Sequence, residues 1–180
     1  SKAGFGPAGP QDPEAVDKVV ELAFEIIDSD QVSPRAEATI RTKKDNKIVM
    51  AMLNVKVHYH YDHVRKLSTF TIQHIKLHGF SQDLLQDRFE PYLKLSYGDK
   101  WKCVTSHAKS SGQTAEWTFN PSDAFFDKMF KVTDDEMAVE ANSEFRCVVK
   151  KKNVKGHEDF ECGDGMIVFT PKLFNPEVSD

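Results

Sequence analysis

Cysteine is scarce in this chain. Cys103, Cys147 and Cys162 form an odd, widely spaced set with no Cys-x-x-Cys pair, which fits a reducing compartment better than a disulfide framework. No Asn-x-Ser/Thr acceptor argues for secretion. Apolar runs are short, and none approaches the roughly 20 residues that a helical membrane span needs. Charge imbalance is small: 24 basic and 28 acidic residues leave a net −4. No whole-protein attraction to nucleic acid follows from that, so any anion would have to be met by a local basic patch. A Gly-x-Ser-x-Gly nucleophile elbow and a phosphate-binding glycine loop are both missing, and nothing repeats at a fixed period. These absences describe a non-enzymatic domain, intracellular, cytoplasmic or membrane-peripheral, with no nucleic-acid partner.

What is present suits one well-buried domain plus an appendage: 180 residues, 39% hydrophobic and 29% charged. Residues 1–11 form a Gly/Pro/Ala arm without periodicity, read as flexible or laid against a partner. Asp12-Pro13 has the form of a helix cap and first-turn proline. Val16, Val19, Val20, Ala23 and Ile27 then follow i, i+3, i+4, i+7 spacing, so the sequence predicts an amphipathic helix over Pro13–Asp28 with an acidic outer face (Glu14, Asp17, Glu21, Glu25). From Ser33-Pro34 onward the pattern is that of strands. Expected strands are Ala36–Thr42, Ile48–Tyr61, a strand opening at Phe70, one at Leu93–Leu95, Trp101–Thr105, Glu116–Phe119, Met129–Thr133, Met137–Ala141, Arg146–Lys150 and Met166–Thr170. A brief helical turn is expected at Ser122–Lys128. Within Phe70–Gly79 the apolar beat skips a residue at His74–Ile75, as a β-bulge makes it do. The fold class is therefore all-β, an antiparallel sandwich of about eight strands with an N-terminal helix and extra strands. Residues 12–66 read as an N-terminal extension, 67–175 as the sandwich and 176–180 as a tail.

Two motifs carry candidate chemistry. His58-Tyr59-His60-Tyr61-Asp62-His63 reads HxHxDH, which resembles the metal signature of the metallo-β-lactamase superfamily. Two imidazoles two apart on a strand share a face. The glycines that follow that signature are missing, as is a later Gly-His-Thr-like segment. A metal-dependent hydrolase is retained only as an alternative, and an exposed His/Tyr strand is the plain reading. The second motif is a set of acidic loops, Asp83/Asp87/Glu90, Asn142/Glu144 and Glu158-Asp159. If these converged at one end of a sandwich they could offer oxygens to Ca²⁺, the exception to an expectation of no cofactor.

Phe70–Phe174 resembles the C2 domain family, β-sandwiches that dock on membranes, often through calcium. FTIQHIKLHGF resembles that family's first strand, and Glu90-Pro91-Tyr92-Leu93-Lys94-Leu95 resembles its Asp-Pro-Tyr-Val-Lys-Val. Lys100, Lys102 and Thr105 resemble its lysine-bearing strand, and Trp117 stands near its tryptophan. Met137–Glu140 and Asp159–Val168 resemble its closing strands. The resemblance implies calcium positions that this chain alters. Glu90 replaces an aspartate, the first-loop aspartate falls at or beside Leu84, Asn142 and Glu144 replace two more, and Asp159 is kept. That pattern implies a degenerate, calcium-independent domain. The resemblance also implies a basic face of Lys94, Lys100, Lys102 and Lys109 for anionic headgroups, and a loop tip of Phe80, Leu84 and Leu85 for a membrane or protein partner. Lys150-Lys151-Lys152 and Lys155 add a second basic run. The expected partners are proteins, up to a large assembly in which the chain is a structural accessory subunit, or an anionic membrane surface.

Overall fold

The computed structural model of the chain describes residues 15–28, 47–79, 90–108, 114–119, 128–152 and 155–174. Nine antiparallel strands lie in these stretches: β1 Ala15–Asp28, β2 Lys47–Asp62, β3 Leu67–His78, β4 Tyr92–Tyr97, β5 Trp101–Val104, β6 Thr114–Thr118, β7 Met129–Thr133, β8 Glu144–Lys151 and β9 Phe160–Val168. They form two sheets. In the first, β1, β2 and β3 are neighbours, and the far edge of β3 is shared by β6 and β7; in the second the order is β5-β4-β8-β9. The expected all-β sandwich is what the chain forms.

The predicted N-terminal helix is not seen. Ala15–Asp28 is a 14-residue strand paired with β2 from Ala15↔His60 to Asp28↔Lys47. Val20 and Leu22 are buried while Val19, Glu21 and Ala23 are exposed, so the operative period is two. The neighbouring strand offers a continuous ladder to a segment rich in β-branched residues, and that ladder outweighs a helical spacing the same valines also satisfy. The inner face of β1 also holds Lys18, whose Nζ donates to the carbonyl of Leu173. β1 and β2 thus pair directly into the sheet of β3.

The bulge in Phe70–Gly79 is present. Lys56 pairs with His74 but Val57 pairs with Ile72, so Gln73 is the extra residue. A second irregularity, between Val149↔Gly163 and Lys150↔Glu161, turns Cys162 into the core. Met137–Ala141 is not a strand. A short helix, α1 (Asp134–Met137), follows β7, and a 3-10 turn covers Glu140–Ser143 before β8 begins. The last strand runs over Phe160–Val168, ending before Phe169, and a second short helix, α2 (Pro171–Phe174), follows. The expected strand Ala36–Thr42 and all but the last residue of the expected helical turn Ser122–Lys128 fall outside the described residues.

Aromatic rings join the two sheets. Phe70 on β3 lies 5.1 Å from Tyr59 and 5.2 Å from Phe130, 5.6 Å from Tyr97 on β4, and 5.2 Å from Phe174 on α2, centroid to centroid. Phe145 and Phe169 stack at 4.7 Å with planes 4° apart. Each such pair adds about 0.5–1.5 kcal/mol beyond its buried area. The rings' polar ends are satisfied: Tyr59 Oη and Ser68 Oγ share a buried hydrogen bond of 3.0 Å, and Tyr97 Oη donates to the Phe169 carbonyl at 3.3 Å. Burial pushes the Tyr97 phenol up to about 12.

Candidate binding face

The outward face of the second sheet follows from alternation. Leu93, Leu95 and Tyr97 of β4 are buried, so Lys94 and Ser96 point out; Lys102 and Val104 do so on β5, and Arg146, Val148 and Lys150 on β8. The register then fixes neighbours: Lys94 lies opposite Val104 on one side and Val148 on the other. Lys102, Arg146 and Lys150 each stand two residues from those partners, on the diagonals of Lys94, where side chains are roughly 7–8 Å apart. Four cations form a cross centred on Lys94. At that spacing each like-charged pair costs about 0.5 kcal/mol in water, which a bound anion would relieve. Arg146 Nη2 has a partial counter-charge in Glu144 Oε1 at 3.6 Å. The β9 side carries the opposite sign, with exposed Glu161 on the rung of Lys150 and exposed Asp164 on the rung of Val148. Exposed Val104 and Met166 complete the face.

Of the lysines expected on this face, Lys94 and Lys102 are there. Lys100 is not: it sits in the β4–β5 turn, where its Nζ makes a 2.7 Å ion pair with Glu136 Oε2. Lys109, Phe80, Leu84 and Leu85 lie outside the described residues. Arg146 was missed and Lys150 was read only as part of a separate basic run. The alternation Phe145-Arg146-Cys147-Val148-Val149-Lys150 could turn both outward, while their place beside Lys94 comes from the β4–β8 pairing.

The acidic positions do not come together. Glu90 precedes β4 and Asp159 precedes β9, at one end of the sheet, where Tyr92 Oη donates to Asp159 Oδ2 at 2.6 Å. Desolvation first, then that carboxylate, pushes the Tyr92 phenol up to about 12. The His107 ring lies 4.8 Å from that of Tyr92, tilted by 57°, and its Nδ1 lies 3.0 Å from the Glu90 carbonyl. Asn142 and Glu144 are at the other end, because Glu144 opens β8 opposite Val168 while Lys151 closes it opposite Phe160. About 20 Å of strand, six residues at about 3.3 Å each, separates the two pairs. Asn142 Nδ2 is bonded to the Glu136 carbonyl at 3.0 Å. The correction has a simple origin. The strand expected at Arg146–Lys150 lies between the two loops as β8 and carries the chain from one end of the sheet to the other, so the end shared by Glu90 and Asp159 carries Lys150, Lys151, Lys152 and Lys155. Asp83 and Asp87 lie outside the described residues.

In the HxHxDH stretch, His58 and His60 share the outer face of β2, flanking buried Tyr59. Asp62 is occupied otherwise: its Oδ1 accepts from the backbone of Val64 (2.9 Å) and Arg65 (3.1 Å), closing the β2–β3 turn. The Arg65 backbone bond, foremost, holds the Asp62 carboxyl below its ordinary value. His63 stacks edge-on against Tyr61 at 4.9 Å. Among the described residues, no group of three or more His, Cys, Asp or Glu side chains is placed to hold a metal ion, and no helix is long and apolar enough to cross a membrane.

No protein family, curated protein or solved structure matches the chain.

Proposed function

We propose that the chain is a non-enzymatic, C2-like binding or scaffolding module that docks on an anionic surface, a peripheral membrane in the first instance, without calcium. The observation that carries this reading is the cross of Lys102, Arg146 and Lys150 around Lys94 on an otherwise solvent-facing sheet. The C2-like assignment draws support from the Glu90–Leu95 motif opening β4, from the lysine-bearing strand β5 beside it, and from the bulge in β3. Calcium independence is supported by the separation of Glu90 and Asp159 from Asn142 and Glu144. Basic residues near an anionic leaflet contribute about 1 kcal/mol each, so four give weak, reversible attachment.

Vesicle co-sedimentation tests it. The protein is expected to pellet with vesicles containing phosphatidylserine or a phosphoinositide, not with neutral phosphatidylcholine, and equally with Ca²⁺ or chelator. Lys94→Ala with Lys102→Ala removes two of the four charges from exposed positions and should weaken partitioning about 30-fold, at about 1 kcal/mol per residue. Absence of sedimentation with anionic vesicles would end the membrane reading.

A second reading, a structural accessory subunit of an assembly, is favoured by a separate observation. β1 and β2 remain paired for five rungs, Phe24↔Ala51 to Asp28↔Lys47, beyond the last β2–β3 rung at Met52↔His78. Two-stranded ribbons are marginal alone, and this one contains Ile26-Ile27 and Ile48-Val49-Met50. Light scattering of the purified chain discriminates: a monomer at all concentrations, without co-purifying protein, disfavours the assembly.

A further inference from the structure

Asp17 on β1 and His58 on β2 are register partners, and His58 Nδ1 lies 2.6 Å from Asp17 Oδ1, both side chains being solvent-accessible at 41% and 50%. An ionised carboxylate only accepts, so Nδ1 carries the proton and Nε2 is the nitrogen with an unshared pair. Metal-bound imidazoles are held in this way, with the second ring nitrogen donating to a carboxylate that fixes tautomer and orientation. His60 stands two residues on, on the same outer face, because Tyr59 and Tyr61 on either side of it are buried. The neighbouring rungs hold small residues: Thr71 beside His58, and Ala15 and Thr69 beside His60. No bulky side chain at these register positions caps the pair. Local charge is mixed, with Asp17 and Asp62 against exposed Lys56.

We propose that His58 and His60 form an open, two-imidazole chelate for a borderline transition-metal dication, Cu²⁺ in preference to Zn²⁺, with Asp17 as the positioning residue for His58. Imidazole donors select these ions over the hard cations Ca²⁺ and Mg²⁺, and Cu²⁺ binds more tightly than Zn²⁺ at a given nitrogen site. Two protein ligands leave further coordination positions to water. The site is therefore an exchangeable docking point for the ion and not a closed structural centre. This inference is independent of the basic face, which lies on the other sheet.

The test is titration of the intact chain with CuCl₂, followed by electron paramagnetic resonance and by the shift in thermal midpoint. The expected result is one Cu²⁺ per chain with hyperfine coupling from two imidazole nitrogens, and a midpoint that rises with free Cu²⁺ as mass action requires. His58→Ala and His60→Ala should each weaken binding at least about tenfold, and Asp17→Asn about tenfold through loss of the acceptor-only carboxylate that fixes the tautomer. His74→Ala and His107→Ala should leave it unchanged. Circular dichroism melts without metal verify that each variant folds, and His58→Gln supplies a polar substitute should the alanine variant fail that check. Binding of undiminished affinity in either His58→Ala or His60→Ala, or no saturable binding in the parent, overturns the site. Binding unchanged in Asp17→Asn overturns the positioning role.

Discussion

At Gly98, in the turn between β4 and β5, the backbone has φ +48°, and an added Cβ would stand 2.7 Å from the carbonyl oxygen of Asn142. Both features penalise any side chain: the left-handed region costs a non-glycine residue about 1–2 kcal/mol, and the carbonyl belongs to backbone that cannot swing away. The turn is fixed from both sides, since Gly98 N–H donates to the Glu144 carbonyl at 3.0 Å and Lys100 N–H to the Tyr97 carbonyl at 3.0 Å. Gly98→Ala is expected to destabilise the fold by about 2–3 kcal/mol, strain plus overlap, read as a lower urea midpoint with unchanged slope. An unchanged midpoint would mean that the turn is not held against Asn142. The sequence announced a turn at Gly98-Asp99. It could not announce the approach of Asn142, which depends on a turn 44 positions away folding back over it.

Helix α1 shows how a four-residue element survives at the end of a sandwich. Glu136 N–H donates to Thr133 Oγ1 at 3.2 Å while Thr133 N–H donates to Glu136 Oε1 at 3.0 Å, a reciprocal capping box. Glu136 Oε2 also meets Lys100, and Tyr61 Oη donates to Asp134 Oδ2 at 2.7 Å, tying the helix to both sheets. Lys100 first, then the Thr133 backbone, holds the Glu136 carboxyl below its usual 4.5. A depressed folded value means stability present above the unfolded pKa and lost as pH falls through the folded one. Glu136→Gln keeps the box but not the charge, so it should cost up to about 1 kcal/mol at pH 7, the ceiling for an exposed pair. The gap should narrow as pH falls from 7 through the depressed folded value; urea midpoints along that descent measure it, and a constant gap would refute the linkage. Sequence reading placed a strand here because Met137-Ala138-Val139 is apolar, while the Thr-x-x-Glu box at 133–136 was the stronger local signal. At β1 the failure was of another kind. Val16 and Val20 satisfy two periods at once, and the presence of β2 as a partner selects the one that buries Leu22 as well. The bulge and the strands β7 and β8 were legible because buried and exposed residues alternate there without competition.

Across the whole molecule, the sandwich was legible but the candidate face was only half so. Lys94 and Lys102 were placed on one face by the family resemblance, whereas the diagonal placement of Arg146 and Lys150 needs the β4–β8 pairing, a contact over some fifty residues that no local pattern encodes. The acidic loops were grouped at one end by the resemblance, although the strand between them, β8, sends Asn142/Glu144 and Asp159 to opposite ends. The same long-range pairing makes a claim about cooperativity. Trp117 is buried at 5% exposure in the first sheet and Trp101 at 4% in the second, while Cys103, Cys147 and Cys162 are all buried thiols of the second. Burial pushes the Cys147 thiol well up, which keeps it protonated and inert in the folded chain. Phe70 of the first sheet packs on Tyr97 of the second and on Phe169, so neither sheet can lose its inner face without stranding the other's rings. Single-tryptophan variants, Trp101→Phe and Trp117→Phe, should therefore report urea midpoints that coincide with each other's circular dichroism transitions, and thiol labelling should begin only at that transition. Labelling or Trp101 fluorescence changing ahead of Trp117 would separate the two sheets into independent units and remove the rigid support on which the cross of cations around Lys94 depends.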